Sequence, residues 1–164
     1  MTTFDIIKTY GRMNDKMDKI RIAGYINIRY AGYGNGGSFK SKCDYMKELL
    51  QKRDDCEMAL IYCDEGCTKE DKRIAFAKMK RDAEARKFDY LVVKKFEHLY
   101  KDGEKRIKII KELKEWGIGV FSISDNVCTT TEKGETFMRL YEEAALAEKQ
   151  WKDAVAKLKK TFSK

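Results

Sequence analysis

Apolar residues recur along this chain in two alternating rhythms. In "KIRIAGYINIRY", "EMALIYC", "FDYLVVK" and "IGVFSIS" they form short runs rich in Ile, Val, Tyr and Phe, which predicts four strands. "EMALIYC" is apolar throughout, as a strand buried on both faces would be. Between these runs the apolar positions step by three and four. From about Ser38 to Arg53 the steps put Phe39, Cys43, Met46, Leu49 and Leu50 on one helical face, with Ser38 as the cap. A charged helix is predicted from about Glu70 to Arg86, and "GEKRIKIIKELKEWG" predicts another with Ile107, Ile110 and Leu113 inward. Strands alternating with helices imply an α/β fold with a largely parallel sheet flanked by helices.

Two segments lie outside that alternation. Phe4, Ile7, Tyr10, Met13 and Met17 mark an amphipathic helix within residues 1–19, an extension ahead of an α/β domain over 20–133. After the polar loop "DNVCTTTEKGE", Phe137, Leu140, Ala144, Ala147, Trp151, Val155, Leu158 and Phe162 step by three or four, predicting one long helix over 134–164. Such a helix would span roughly 40 Å at 1.5 Å per residue, more than a domain of this size needs to cover its own sheet. It lies either wholly across its domain or with its distal half packed on a partner helix. Its length favours the second.

Composition narrows the class. A chain of 164 residues without proline shows no linker that would divide it. The formal charge of +8 favours an anionic partner such as nucleic acid. Cys43, Cys56, Cys63, Cys67 and Cys128 form an odd set with no C-x-x-C pair and no secretory signal ahead of them, which suits a reduced, cytoplasmic protein. Cys63, Cys67 and Cys128 with His98, the single histidine, are the only candidates for zinc; as small buried hydrophobes they need no metal, and neither metal nor cofactor is expected. No apolar run is long enough to cross a membrane.

The stretch "GYINIRYAGYGNGGS" raises a nucleotide question. Gly32, Gly34 and Gly37 satisfy G-x-G-x-x-G between a strand and a helix. In a dinucleotide cradle the helix starts within the glycines and an acid follows about twenty residues on. Here helical periodicity starts at Phe39, and the acid closing the second strand, Asp64, comes thirty residues after Gly34. Nucleotide binding is the lesser reading.

The order of elements and several phrases resemble the catalytic domain of the serine recombinases, the resolvase and invertase family, over roughly Ile20 to Trp151. "AGYINIR" stands where that family has a strand ending Tyr-x-Arg-x-Ser, and "SFKSK" where its next helix opens. "YCDEGCT" resembles Tyr-x-Asp-Glu-Gly-x-Ser, and "DKRIAFAKMKRDAEARKFDYLVVKK" resembles the Arg-Pro-x-Phe helix and the strand after it. "GETFMRLYEEAALAEKQ" is similar to the start of the family's long dimerising helix.

The resemblance implies a serine that attacks a DNA phosphodiester, guanidinium groups that hold the phosphate, and a carboxylate that organises the site. By this alignment the nucleophile position is Arg29 and the arginine before it is Asn27. Asp-Arg-Leu-x-Arg becomes "EHLYK", so Glu97, His98 and Lys101 take the three polar positions; Arg73 keeps its arginine, with Ile74 in place of proline. Glu148 matches an acid of the long helix. The implied outcome is a retained fold with a dismantled catalytic site. Tyr30, next to the vacant position, and Ser38 are hydroxyls that could replace the nucleophile, and they read more simply as a packing residue and a cap.

Residues 149–164 carry six lysines against one aspartate. Lys149, Lys152, Lys157, Lys159 and Lys160 could contact DNA phosphates, or form a solvated face suited to the helix C-terminus. In the family this helix leads to a separate DNA-binding domain, which is not expected here because the sequence stops at Lys164. A homodimer, or a heterodimer with a recombinase, is expected through the apolar stripe.

Overall fold

The computed structural model describes residues 20–28, Asp44, Glu48, 56–65 and 72–163. The strand β1 (Ile20–Ile28) divides the interior in two. Ile22 and Ile26 fall in one buried cluster, Ala23 and Tyr25 in another, as alternation along a strand requires. β2 (Cys56–Glu65), β3 (Tyr90–Val93) and β4 (Gly119–Ser122) join β1 in parallel, and every residue of β3 and β4 is buried. A sheet covered on both faces accounts for their unbroken apolar runs. β5 (Val127–Cys128) closes one edge antiparallel to β4, giving the order β2-β1-β3-β4-β5.

Three helices pack on one face. α1 (Ile74–Glu84) buries Phe76, Met79 and Ala83; α2 (Gly103–Glu115) buries Ile107, Ile109, Ile110 and Leu113. The Asp102 side chain caps α2 by accepting from the Lys105 amide. At its other end Gly117, at φ 79°, lets the Ile118 amide reach the Leu113 carbonyl at 2.8 Å and stop the helix. α3 (Glu132–Phe162) starts behind a Thr131 cap that accepts from the Gly134 amide. Gly134 must lack a side chain, because a Cβ there would meet the Cys128 carbonyl of β5.

α3 runs 31 residues, about 46 Å. Its first half lies antiparallel on α2. Ion pairs Lys114–Glu135, Lys111–Glu142 and Lys149–Glu104 line up along the two helices, and Ala145 sits against Gly103. Phe137, Met138 and Tyr141 reach the core cluster and the Phe96 ring. Lys149 is the last α3 residue with an ion pair to the body among the described residues.

The four expected strands and the helices after β2 and β3 are present. The helix expected from about Glu70 begins at Ile74, with Arg73 as its N-cap residue. The polar loop "DNVCTTTEKGE" holds β5, and α3 starts at Glu132, ahead of residue 134. Of the helix expected over residues 38–53, Asp44 and Glu48 are described, helical and exposed. The N-terminal helix within 1–19 lies outside the described residues. Among the described residues no helix is long and apolar enough to cross a membrane.

Candidate functional site

Strand order reverses at β1: β2 lies on one side of it, and β3, next in the chain, on the other. In parallel α/β sheets such a reversal opens a crevice at the carboxyl ends of the strands. At that edge β1 delivers Asn27, whose register partner on β2 is Asp64. The β2–α1 connection adds Arg73, and the turn Phe96–His98 after β3 adds Glu97 and His98.

A closed polar network occupies this corner. Arg73 is 3% exposed; its Nε and Nη2 donate to the Tyr25 hydroxyl at 3.2 and 2.7 Å, and Nη2 also donates to the His98 carbonyl at 3.2 Å. The guanidinium carbon lies 3.8 Å from the centre of the Phe76 ring, with the Tyr25 and Tyr100 rings at 5.4 and 5.1 Å. Tyr25 passes its proton bond to Asp64 Oδ2 at 3.0 Å. Both Asp64 oxygens also accept from α1, Oδ1 from the Ala75 amide and Oδ2 from the Phe76 amide. The carboxylate therefore sits at the positive end of the helix dipole and satisfies amides that have no partner within the helix. Burial pushes the Tyr25 phenol above its ordinary value of 10; Arg73 opposes the rise and Asp64 adds to it.

Asn27 lies one pleat beyond Tyr25 on the same face of β1 and is 5% exposed. Its Nδ2 and Oδ1 have no hydrogen-bond partner among the described residues. Glu97 turns outward, 3.7 Å from Arg106 Nη1 and 3.5 Å from the Tyr141 hydroxyl. Lys101 is exposed, and its carbonyl accepts from Arg106 Nη2 at 2.7 Å. Buried Arg106 also donates to the Tyr100 carbonyl at 2.8 Å and so holds the 97–101 segment from behind.

The site residues expected from the sequence thus divide. Asn27, Arg73 and His98 share the corner, whereas Glu97 and Lys101 face outward from its rim. Arg29, Tyr30, Gly32, Gly34, Gly37, Ser38 and Cys67 lie outside the described residues. Cys63 on β2 and Cys128 on β5 occupy opposite edges of a five-stranded sheet, about 19 Å apart at the usual strand spacing, so one zinc ion cannot bind both. Among the lysines, Lys149 pairs with Glu104 and Lys152 with Glu148, while Lys157, Lys159 and Lys160 stand exposed.

Sequence reasoning missed Tyr25, Arg106 and Tyr141, and weighed Asp64 only as a ribose ligand. A buried tyrosine and aspartate on neighbouring strands carry no local signature. Only the run of polar residues at strand ends, Asn27 and Asp64, could have flagged the corner.

The "Resolvase, N terminal domain" family model matches residues 25–160. A comparison with curated protein sequences found no match. Among solved structures, the N-terminal catalytic domain of TP901-1 integrase superposes with a TM-score of 0.68 at 18% identity, covering 80% of this chain and 98% of that one. A resolvase family site-specific recombinase from Streptococcus pneumoniae gives 0.67 at 17% identity, covering 87% and 99%. Those likenesses establish a shared fold. The family match spans most of the chain, and with it the chain belongs to the resolvase N-terminal domain family of serine recombinases.

Proposed function

We propose that this chain is a cytoplasmic serine-recombinase-like protein that has lost DNA strand cleavage and works by assembling with a second copy, or with an active recombinase, on DNA. The observation that carries the reading is the position of Arg73. At the one family arginine position that keeps its guanidinium, that group is enclosed by Phe76, Tyr25 and the His98 carbonyl instead of being presented to a phosphate. Asn27, His98 and Lys101 supply an amide, an imidazole and an ammonium where bidentate guanidinium groups are needed, and Arg29 stands at the nucleophile position. Losing the nucleophile from a site that acts as a unit typically removes on the order of a million-fold in rate.

The assembly surface is the free side of α3. Leu140, Trp151, Leu158 and Phe162 are exposed, and with Ala144 and Ala147 they continue one helical stripe past the end of the body. Lys157, Lys159 and Lys160 lie off that stripe, so a packed pair of helices would keep them outward for phosphate contact. In this reading residues 1–19 are an extension, 20–133 the α/β body and 134–164 the arm.

Incubation with a nicked recombination substrate, followed by denaturing electrophoresis, tests the loss of cleavage. No covalent protein–DNA adduct is expected under conditions where an active recombinase gives one. An adduct would overturn the reading and point to a relocated hydroxyl. Sedimentation velocity tests assembly, with a concentration-dependent dimer expected. Anisotropy of a labelled duplex tests DNA contact, with affinity expected to fall steeply as salt rises.

A further inference from the structure

The apolar stripe of α3 has the same spacing in both directions from Trp151. Counting outward, its residues fall at four, seven and eleven positions: Ala147 and Val155, Ala144 and Leu158, Leu140 and Phe162. A two-fold interface must be self-complementary, so that where residue i meets j, j also meets i. Two copies of α3 laid antiparallel, Trp151 against Trp151, meet that condition at every level of the stripe. Each remaining level sets a smaller side chain against a larger one: Ala147 against Val155, Ala144 against Leu158, Leu140 against Phe162. A two-fold parallel pair would instead set alanine on alanine at two levels and phenylalanine on phenylalanine at another. The distance between helix axes follows the side chains at the contact, so no single distance would suit those levels. Leu140, Trp151, Leu158 and Phe162 are all exposed in the single chain.

Charge selects the same orientation. Residues 132–148 carry five glutamates against Lys133 and Arg139, whereas residues 149–164 carry six lysines against one aspartate. A parallel pair would lay the two lysine-rich ends side by side. An antiparallel pair lays each over the glutamate-rich half of the other. At the flank of the stripe it brings Glu143 opposite Lys157, and neither has an ion-pair partner in its own chain among the described residues. We propose that a second copy of this chain covers the stripe, its α3 antiparallel and centred on Trp151. This rests on the assembly reading above and adds to it the partner, the orientation and the register. Lys157 is then engaged by the partner, and Lys159 and Lys160 remain for phosphate.

The test is oxidative cross-linking of full-chain variants on non-reducing electrophoresis, with the unaltered chain, which has its own cysteines, as background. A chain carrying both Ala147→Cys and Val155→Cys is expected to cross-link into dimers, because the register sets those positions face to face. Ala147→Cys alone is expected to stay at background, since its two copies lie about 12 Å apart along the helix axis. Cross-linking by Ala147→Cys alone would overturn the orientation. A dimer in sedimentation that the double variant fails to cross-link would overturn the register. Either result leaves assembly itself standing, whereas no dimer in sedimentation overturns both. Exchange of charge gives a second readout: Glu143→Lys and Lys157→Glu should each weaken the dimer about threefold to tenfold, and the two together in one chain should restore it. A parallel pair brings each of these residues beside its own copy, so single changes without effect would overturn the antiparallel pairing.

Discussion

At the carboxyl edge of the sheet, Arg73, Tyr25 and Asp64 engage one another and the start of α1. On the distal half of α3, Trp151 is 72% exposed and Phe162 83%, and Lys157, Lys159 and Lys160 face water. The first region is closed on itself and the second is open. Arg73, Tyr25 and Asp64 hold β1, β2, α1 and the 96–98 turn together. The distal helix contributes little to the body it grows from. On the proposed reading, its apolar stripe is the surface a second chain covers.

The sharpest way to break this contrast is Arg73→Ala. Removing one member of a buried charged network leaves Asp64 with no cation beside it, and a loss of about 3–5 kcal/mol is expected in urea unfolding. If stability holds within about 1 kcal/mol, the corner is not the structural unit described. Tyr25→Phe deletes the hydroxyl between Arg73 and Asp64 and keeps the ring against Phe76, so a smaller loss of about 1–3 kcal/mol is expected by the same measurement.

The same phenol gives a pH signature. Its folded pKa is raised above the ordinary value of 10, chiefly by burial, so the neutral form stabilises the fold fully below pH 10. That contribution falls away as pH rises beyond 10, where the unfolded chain loses the proton and the folded one keeps it. Tyr25→Phe should flatten the alkaline slope of melting temperature against pH. Tyr62, raised by burial and by its bond to Asp82, should retain the rest of the slope.

The smallest stability effect is expected at the open region. Changing Trp151, Leu158 and Phe162 together to Ser should move the unfolding free energy by no more than about 0.5 kcal/mol per site while abolishing the dimer in sedimentation. A large loss of stability in the monomer would mean the stripe packs on its own body, and the contrast would collapse.

Much of the fold was legible because it follows from local rhythm. Unbroken apolar runs mark strands covered on both faces, and a stepping pattern of three and four marks helices, whatever they later touch. β5 escaped because two residues carry no rhythm; Val127 and Cys128 become a strand only by pairing with Ser122 and Phe121. Along α3 the periodicity gave one stripe where the structure has two faces. Phe137, Met138, Tyr141 and Ala145 turn to the body, while Leu140, Ala144, Ala147 and Trp151 turn away.

The candidate site was legible as a set of positions and illegible as an arrangement. Sequence alone determined that the chain builds a parallel α/β body with a long basic, amphipathic arm. Only the tertiary structure decided that Arg73 turns inward, that Asp64 caps α1 and that Asn27 is buried. Those outcomes depend on contacts between residues 39 and 48 positions apart, Tyr25 with Asp64 and Arg73. Where a charge points depends on which partners the fold brings within about 3 Å of it, and local pattern carries no record of those distances.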